Sequence, residues 1–479
     1  MKILFLSSEV APFSKTGGLA DVAGALPAAL AGLGHQVWVV SPLYSAVSRT
    51  GIKNLRKSVE LKFPFGAETA HLHQAALTAN HQVIFIENDH FFLRSGLYQQ
   101  DGRDYADNAR RFAFFSLAAL SAAQTLEISP EIIHLNDWQC GLAAMALKRG
   151  YHATDLGSAK SVFTIHNLAY QGIFPKSVMS ELGIPWDTFS AEAGLEFYDQ
   201  VNFMKAGLTF SDALNTVSPT YASEIQTADA GCQLDGLLRQ RQVILRGILN
   251  GVDPVEWNPS RKGTLPHSFS ADDLKGKEFC KIELLKRMGM PLDPSTVEKP
   301  LFCVISRMAD QKGWDLLLPA FPQVIQQGGN VIVLGSGERR YEYAVSEQLA
   351  RYPERMAIFL GFDPALAHLV EAGSDFLLMP SRYEPCGLNQ MYSLRYGTVP
   401  VVRATGGLED TVVDLNLPQG NGIKFKDYTL NALMSGIDRA FDLYRHPTNL
   451  QQVRRRGMTQ DFSWDRAAKQ YESFYASLV

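Results

Sequence analysis

The sequence predicts an α/β protein built on two parallel sheets, and three observations predict it. Short apolar, β-branched runs recur with helix-forming stretches between them. The pattern lapses across a polar, proline-containing region and then restarts, and a length of 479 residues exceeds what one hydrophobic core usually supports. A prior of about 150 residues per domain brackets two or three domains, and two large ones fit the restart best.

The first series of runs covers residues 3–6, 37–40, 83–86, 132–135 and 162–165. Each is a short, mainly apolar stretch of the kind that a strand covered on both faces requires. From about Asp253 to Pro300 the chain is polar and broken by prolines, and Asn250-Gly251-Val252-Asp253-Pro254 is a turn signal, so the hinge is placed at Asp253. The second series covers residues 301–305, 331–334, 358–360, 376–379 and 400–402. Beyond Trp464, Ala467, Tyr471, Phe474 and Leu478 recur at helical spacing. The expected domains are therefore 1–253 and 254–460, with 461–479 as a terminal helix packing back on the N-terminal domain.

Composition excludes several classes of function. Hydrophobic residues make up 46% and charged residues 20%, and the net charge of -4 lacks the basic excess of a nucleic-acid binder. No stretch is long and apolar enough to span a bilayer, and the run after Lys2 stops at Ser7, Ser8 and Glu9, short of a signal sequence. Five scattered cysteines with no Cys-x-x-Cys pair suggest neither a disulfide framework nor a zinc site, and they point to the cytoplasm.

Thr-Gly-Gly-Leu-x-Asp occurs twice, from Thr16 to Asp21 and from Thr405 to Asp410. Paired glycines at a helix start let an anion approach unpaired backbone N–H groups. Open parallel sheets bind ligands beyond the carboxyl ends of their strands, so reactive residues should follow strands. Asn136-Asp137, His166-Asn167, Arg307 and Ser381-Arg382-Tyr383-Glu384 all do. Gly335-Ser336-Gly337 lacks the third glycine of a dinucleotide fingerprint, and Lys15-Thr16 precedes its glycines, the reverse of a P-loop. A lysine beside backbone donors at residues 15–18 suits a nucleotide diphosphate; the plainer reading is a tight turn with an exposed lysine.

Seven motifs in order carry a resemblance that runs nearly end to end. They are Lys15-Thr16-Gly17-Gly18-Leu19-Ala20-Asp21-Val22, His134-Leu135-Asn136-Asp137-Trp138, Thr164-Ile165-His166-Asn167-Leu168-Ala169-Tyr170-Gln171-Gly172, Thr216-Val217-Ser218-Pro219-Thr220-Tyr221-Ala222, Ile248-Leu249-Asn250-Gly251-Val252-Asp253, Ser306-Arg307 with Gln311-Lys312-Gly313, and Ser381-Arg382-Tyr383-Glu384-Pro385-Cys386-Gly387-Leu388. With these, the chain resembles the bacterial glycogen synthases and plant starch synthases. That resemblance implies the glycosyltransferase-B fold, two Rossmann-like domains with an interdomain active-site cleft. It also implies transfer of glucose from ADP-glucose to the non-reducing end of an α-1,4-glucan with retention of configuration. UDP-glucose stays open as the donor, and neither a metal nor a cofactor is implied.

The resemblance further implies roles for single residues. Arg307 and Lys312, with Lys15, would stabilise the departing diphosphate, Glu384 would bind the donor glucose and stabilise charge at its anomeric carbon, and His166 would contact the transferred sugar. Gly17, Gly18, Asp21, Asn250, Phe362, Cys386, Gly387, Leu388, Thr405, Gly406 and Gly407 are expected around the donor. Asp137, Trp138 and Tyr98 are expected on the acceptor side, Trp138 either stacking on a glucose ring or packing in the core. Three positions depart from common patterns: Tyr392 replaces a second glutamate of the wider group, Phe362 a tyrosine, and Asn389 a threonine. Competing readings are a phosphorylase, which would need pyridoxal phosphate, a non-catalytic glucan-binding protein, and a glycoside hydrolase.

Overall fold

Continuous apolar runs become central strands because only burial on both faces satisfies them. The computed structural model describes residues 1–151 and 154–479. They divide into one unit of Met1–Gly251 with Trp464–Val479 and a second of Val252–Ser463. The division falls between 251 and 252 rather than after 253, and the chain re-enters the first unit at Trp464.

In the first unit the strands are β1 (Lys2–Leu6), β2 (Gln36–Pro42), β3 (Lys53–Phe63), β4 (Gly66–Thr78), β5 (His81–Glu87), β6 (Gln99–Gln100) and β7 (Arg103–Asp104). After them come β8 (Ile132–Asn136), β9 (Lys160–Ile165), β10 (Ile173–Pro175), β11 (Glu196–Phe197), β12 (Gln200–Asn202), β13 (Ala213–Thr216) and β14 (Leu245–Gly247). Nine of these form one sheet in the order β14-β13-β9-β8-β1-β2-β5-β4-β3. It is parallel except for β3 and β4, an antiparallel addition at one edge. From β1 the chain builds first toward β2 and later toward β8, so the strand order reverses at β1 and opens a crevice at its carboxyl end.

Two devices hold the loops around that crevice. Arg111 is fully buried and donates from Nε to the Phe91 carbonyl (2.8 Å), from Nη1 to Asn108 Oδ1 (2.7 Å) and from Nη2 to the Leu97 carbonyl (2.9 Å). Its guanidinium also lies against the rings of Phe92, Tyr105 and Phe112, and so fastens the loop that carries Tyr98. The terminal helix Trp464–Ala476 buries Tyr471 and Tyr475 completely. Tyr475 Oη lies 2.6 Å from His134 Nδ1, and Asn215 Nδ2 donates to Tyr471 Oη at 3.0 Å, tying the helix to β8 and β13.

The second unit contains β15 (Leu301–Ile305), β16 (Asn330–Gly335), β17 (Met356–Leu360), β18 (Phe376–Met379), β19 (Val399–Arg403) and β20 (Ile423–Phe425), a sheet in the order β17-β16-β15-β18-β19-β20. All neighbouring pairs run parallel. Alternation along the strands splits the core: Phe302 and Val304 face one layer with Trp314, while Leu301 and Cys303 face the other with Leu284 and Leu369. Here the order reverses at β15, between β16 and β18. Among the described residues no helix is long and apolar enough to cross a membrane.

Candidate active site

Each unit gathers a polar cluster at its reversal point. In the first, β1 ends at Leu6 and delivers Ser7, Ser8 and Glu9, all buried. The Glu9 carboxylate accepts from the Thr16 N–H, from Thr16 Oγ1 at 2.7 Å and from Tyr98 Oη at 2.7 Å, with the Gly17 N–H at 3.4 Å. Tyr98 thus gives its only proton to Glu9, so Ser8 Oγ, 2.7 Å away, is the donor to Tyr98. Glu9 therefore holds the Thr16-Gly17 turn from beneath, using N–H groups that the sequence suggested for a ligand. Gly17 itself has open space where a side chain would stand, and among the described residues Lys15 reaches only Asp21 (2.6 Å), a half-exposed pair that holds the lysine weakly.

The next strand over, β8, ends in Asn136, and Asp137 follows with φ 55° and ψ -178°, a conformation costly for a residue with a Cβ. That turn aims the Asp137 carboxylate at the His166 N–H, which it accepts at 2.8 Å. Burial pushes the Asp137 carboxyl up to about 7, against the opposing pull of the His166 and Asn167 N–H groups. His166 follows β9, and its Nε2 lies 2.9 Å from Asn136 Oδ1; burial holds its imidazole down at about 3, hence neutral. Asn250, after β14, is buried with no partner for its Oδ1 among the described residues.

Trp138 requires a correction. Its ring is 9% exposed, edge-on to Phe112 at 5.0 Å and near Phe174 and Phe203, while Gly172 presses so closely that a Cβ there would meet the indole at 2.3 Å. Both faces are covered by protein, so Trp138 is core rather than a sugar platform.

In the second unit, β18 ends at Met379 and residues 381–388 follow. Glu384 is buried, its Oε2 2.6 Å from Lys312 Nζ and accepting from Ser381 Oγ at 2.9 Å. Lys312 closes the turn after β15, where Gly313 adopts φ 75° and a Cβ would meet the Pro380 carbonyl at 2.2 Å. Glycine there lets the Lys312 and Glu384 loops approach each other. Arg307 is exposed, and among the described residues its one side-chain bond is a long 3.4 Å contact to Gln311 Oε1. Gln311 also braces the Glu384 loop, donating to the Tyr383 carbonyl at 3.3 Å and accepting the Arg382 N–H through its own carbonyl at 2.8 Å.

The second glycine pair does different work from the first. A Cβ on Gly406 would lie 1.9 Å from the Glu384 carbonyl oxygen, and one on Gly407 1.9 Å from that of Cys386. The Gly407 N–H bonds the Glu384 carbonyl at 3.0 Å, and Thr405, like Cys386, is buried. Gly387, at φ 68°, lies against Gln390, whose amide donates to the Cys386 and Gly387 carbonyls, so Leu388 closes a rigid turn. Phe362, just beyond β17, is 78% exposed.

The structure thus brings Lys15, Gly17, Gly18, Asp21, Tyr98, Asp137 and His166 to the first unit's crevice and Arg307, Lys312, Glu384, residues 386–388 and residues 405–407 to the second's. Sequence reasoning missed Glu9 as part of these clusters, and it placed Asn136, Ser381 and Gln311 in motifs without giving them a role. Glu9 follows a buried strand, a position that could have been read as chemical, but it served only to end an apolar run. Two departures find structural uses: Tyr392 stacks on Trp257 (3.7 Å, 5°), and the Asn389 amide bonds the Ile305 carbonyl.

Comparisons with known proteins agree with this layout. Residues 2–240 match the starch synthase catalytic domain family, and residues 293–456 match glycosyl transferases group 1. The chain is 55% identical over 483 residues to the glycogen synthase of Myxococcus xanthus, covering 100% of both chains, and 45% identical to that of Moorella thermoacetica, covering 99% and 96%. Among solved structures, the catalytic domain of starch synthase IV from Arabidopsis thaliana, bound to ADP and acarbose, aligns with a TM-score of 0.91 at 33% identity over 99% of each chain. Sucrose-phosphate synthase from Thermosynechococcus elongatus, at 18% identity and a TM-score of 0.62, shares the fold. The chain therefore belongs to the glycogen synthase and starch synthase family, glucosyltransferases of the glycosyltransferase-B fold.

Proposed function

We propose that this glucosyltransferase takes ADP-glucose as donor and extends the non-reducing end of an α-1,4-glucan with retention. The observation that carries the reading is the buried Lys312–Glu384 pair at the second unit's reversal point, beside an Arg307 held by a single long contact. Departure of a nucleoside diphosphate builds negative charge, and Arg307 and Lys312, with Lys15 of the first unit, are the cations assigned to it. Glu384, fixed by Ser381, binds glucose hydroxyls and faces the positive charge that develops at the anomeric carbon. His166 contacts the transferred sugar, Asp137 and Tyr98 serve the acceptor side, and the leaving phosphate helps to deprotonate the attacking hydroxyl on the same face.

Phe362, exposed beyond β17, offers a ring for adenine. The relative bound to ADP supports that nucleotide over uridine diphosphate. Five free cysteines, four of them buried, suit a reducing compartment such as the cytoplasm. Purified protein given glycogen and radiolabelled ADP-glucose or UDP-glucose should place label in polymer, with the higher kcat/KM from ADP-glucose. Preference for UDP-glucose would overturn the donor assignment, and no incorporation from either would overturn the activity.

A further inference from the structure

The imidazole of His166 is gripped by a residue to which the reaction has assigned no role. Asn136, the last residue of β8, is fully buried, and its side chain bridges two groups. Its Nδ2 donates to the Leu6 carbonyl at 2.8 Å, and its Oδ1 lies 2.9 Å from His166 Nε2. A backbone carbonyl can only accept, so the amide is forced to turn its nitrogen toward Leu6 and its oxygen toward the histidine. An amide oxygen also only accepts, so the ring nitrogen facing it must carry the proton. The imidazole is neutral and has one ring proton to place, which leaves Nδ1 as a bare lone pair.

No protein group among the described residues is recorded in a hydrogen bond with Nδ1. The neighbouring Asp137 meanwhile fixes the main chain of the same histidine through its N–H. We infer that Asn136 is a positioning residue that sets the tautomer of His166, so that Nδ1 accepts a hydrogen bond from a hydroxyl of the bound sugar. The acceptor step rests on the proposed contact between His166 and the transferred glucose; the tautomer does not.

Nitrogen NMR of protein labelled at histidine separates the two, because ring nitrogen shifts and their couplings to ring protons distinguish Nε2–H from Nδ1–H. His166 is assigned by its disappearance in His166→Gln. The wild type should show the Nε2–H form. Asn136→Leu removes the acceptor facing Nε2 and should give a mixture. On the activity side, Asn136→Leu should lower kcat by on the order of 10²-fold, the cost of a misaligned contact. An Nδ1–H form in the wild type, or an unchanged tautomer in Asn136→Leu, overturns the inference. The expected tautomers with kcat unaltered in Asn136→Leu would instead overturn the sugar contact.

Discussion

Lys312 and Glu384 form one contact that bears on stability and, in the proposed reaction, on chemistry. Their 2.6 Å pair is nearly enclosed, and Ser381 is the other recorded side-chain partner of the carboxylate. Removing one member of such a pair strands a charge, which typically costs about 3–5 kcal/mol, whereas removing both charges costs far less. Lys312→Ala should therefore destabilise the second unit by about that amount and reduce kcat together with donor affinity, because in the proposed reaction the lysine acts in both ground and transition states. The double variant Lys312→Ala with Glu384→Gln should recover most of the stability in urea unfolding and none of the activity. Recovery of neither would mean that the pair is not the energetic unit that its geometry describes. This cycle matters because the kinetic loss in Lys312→Ala alone would also follow from a damaged fold.

The repeated Thr-Gly-Gly-Leu-x-Asp is a strand-to-helix turn in both units, built for two different reasons. Gly17 has extended backbone, φ -157°, and an empty flank, so Gly17→Ala should leave the fold intact or raise its stability by about 0.4–1 kcal/mol, while its methyl obstructs the donor and raises KM. Gly407 has a backbone carbonyl where its Cβ would go, so Gly407→Ala should cost about 1–3 kcal/mol. Urea melts and donor KM for both variants check this, and equal destabilisation would refute the distinction. The repeat was visible in the sequence, but its division of labour was not, because Glu384 and Cys386 reach Gly406 and Gly407 only through the fold. The same limit separates the strands that were legible from those that were not. Residues 3–6 and 301–305 advertise burial on both faces, whereas β3, with Lys53, Arg56, Lys57, Glu60 and Lys62, is a charged edge strand that reads as polar chain. Arg307, Asp137, His166 and Glu384 were legible because they follow such buried runs. Glu9 was not, and Asn136 was legible by place but not by role, since their partners Tyr98, Leu6 and His166 are distant in sequence.

Across the whole molecule, buried titratable groups are distributed unequally between the two units, and this predicts which unit fails first in acid. In the first, burial lowers the imidazoles of His81, His134 and His166, the last two to about 3, with His166 adding to the effect on His134. In the second, His368 is the one lowered histidine resolved among the described residues. A histidine held down in the fold accepts its proton only when unfolded, so its contribution is present above pH 6.5 and is lost as pH falls toward the folded value, by at most about 1.4 kcal/mol per pH unit for each group. Raised carboxyls act with the opposite sign: Asp137 at about 7 and Glu371 at about 8, both through burial, favour folding more as pH falls through those values. Between pH 7 and 5 the described residues of the first unit therefore set three such histidines against one such carboxyl, and those of the second set one against one. Lys277, lowered by burial to about 7, is mostly protonated in both states below that pH and shifts the balance little. Limited proteolysis across that range, with the fragments mapped by mass, should show cuts within residues 1–251 at higher pH than cuts within 252–463. The terminal helix should be released with the first unit, because Tyr475 and His134 share a hydrogen bond there. Cuts appearing first in the second unit, or in both at one pH, would refute this reading.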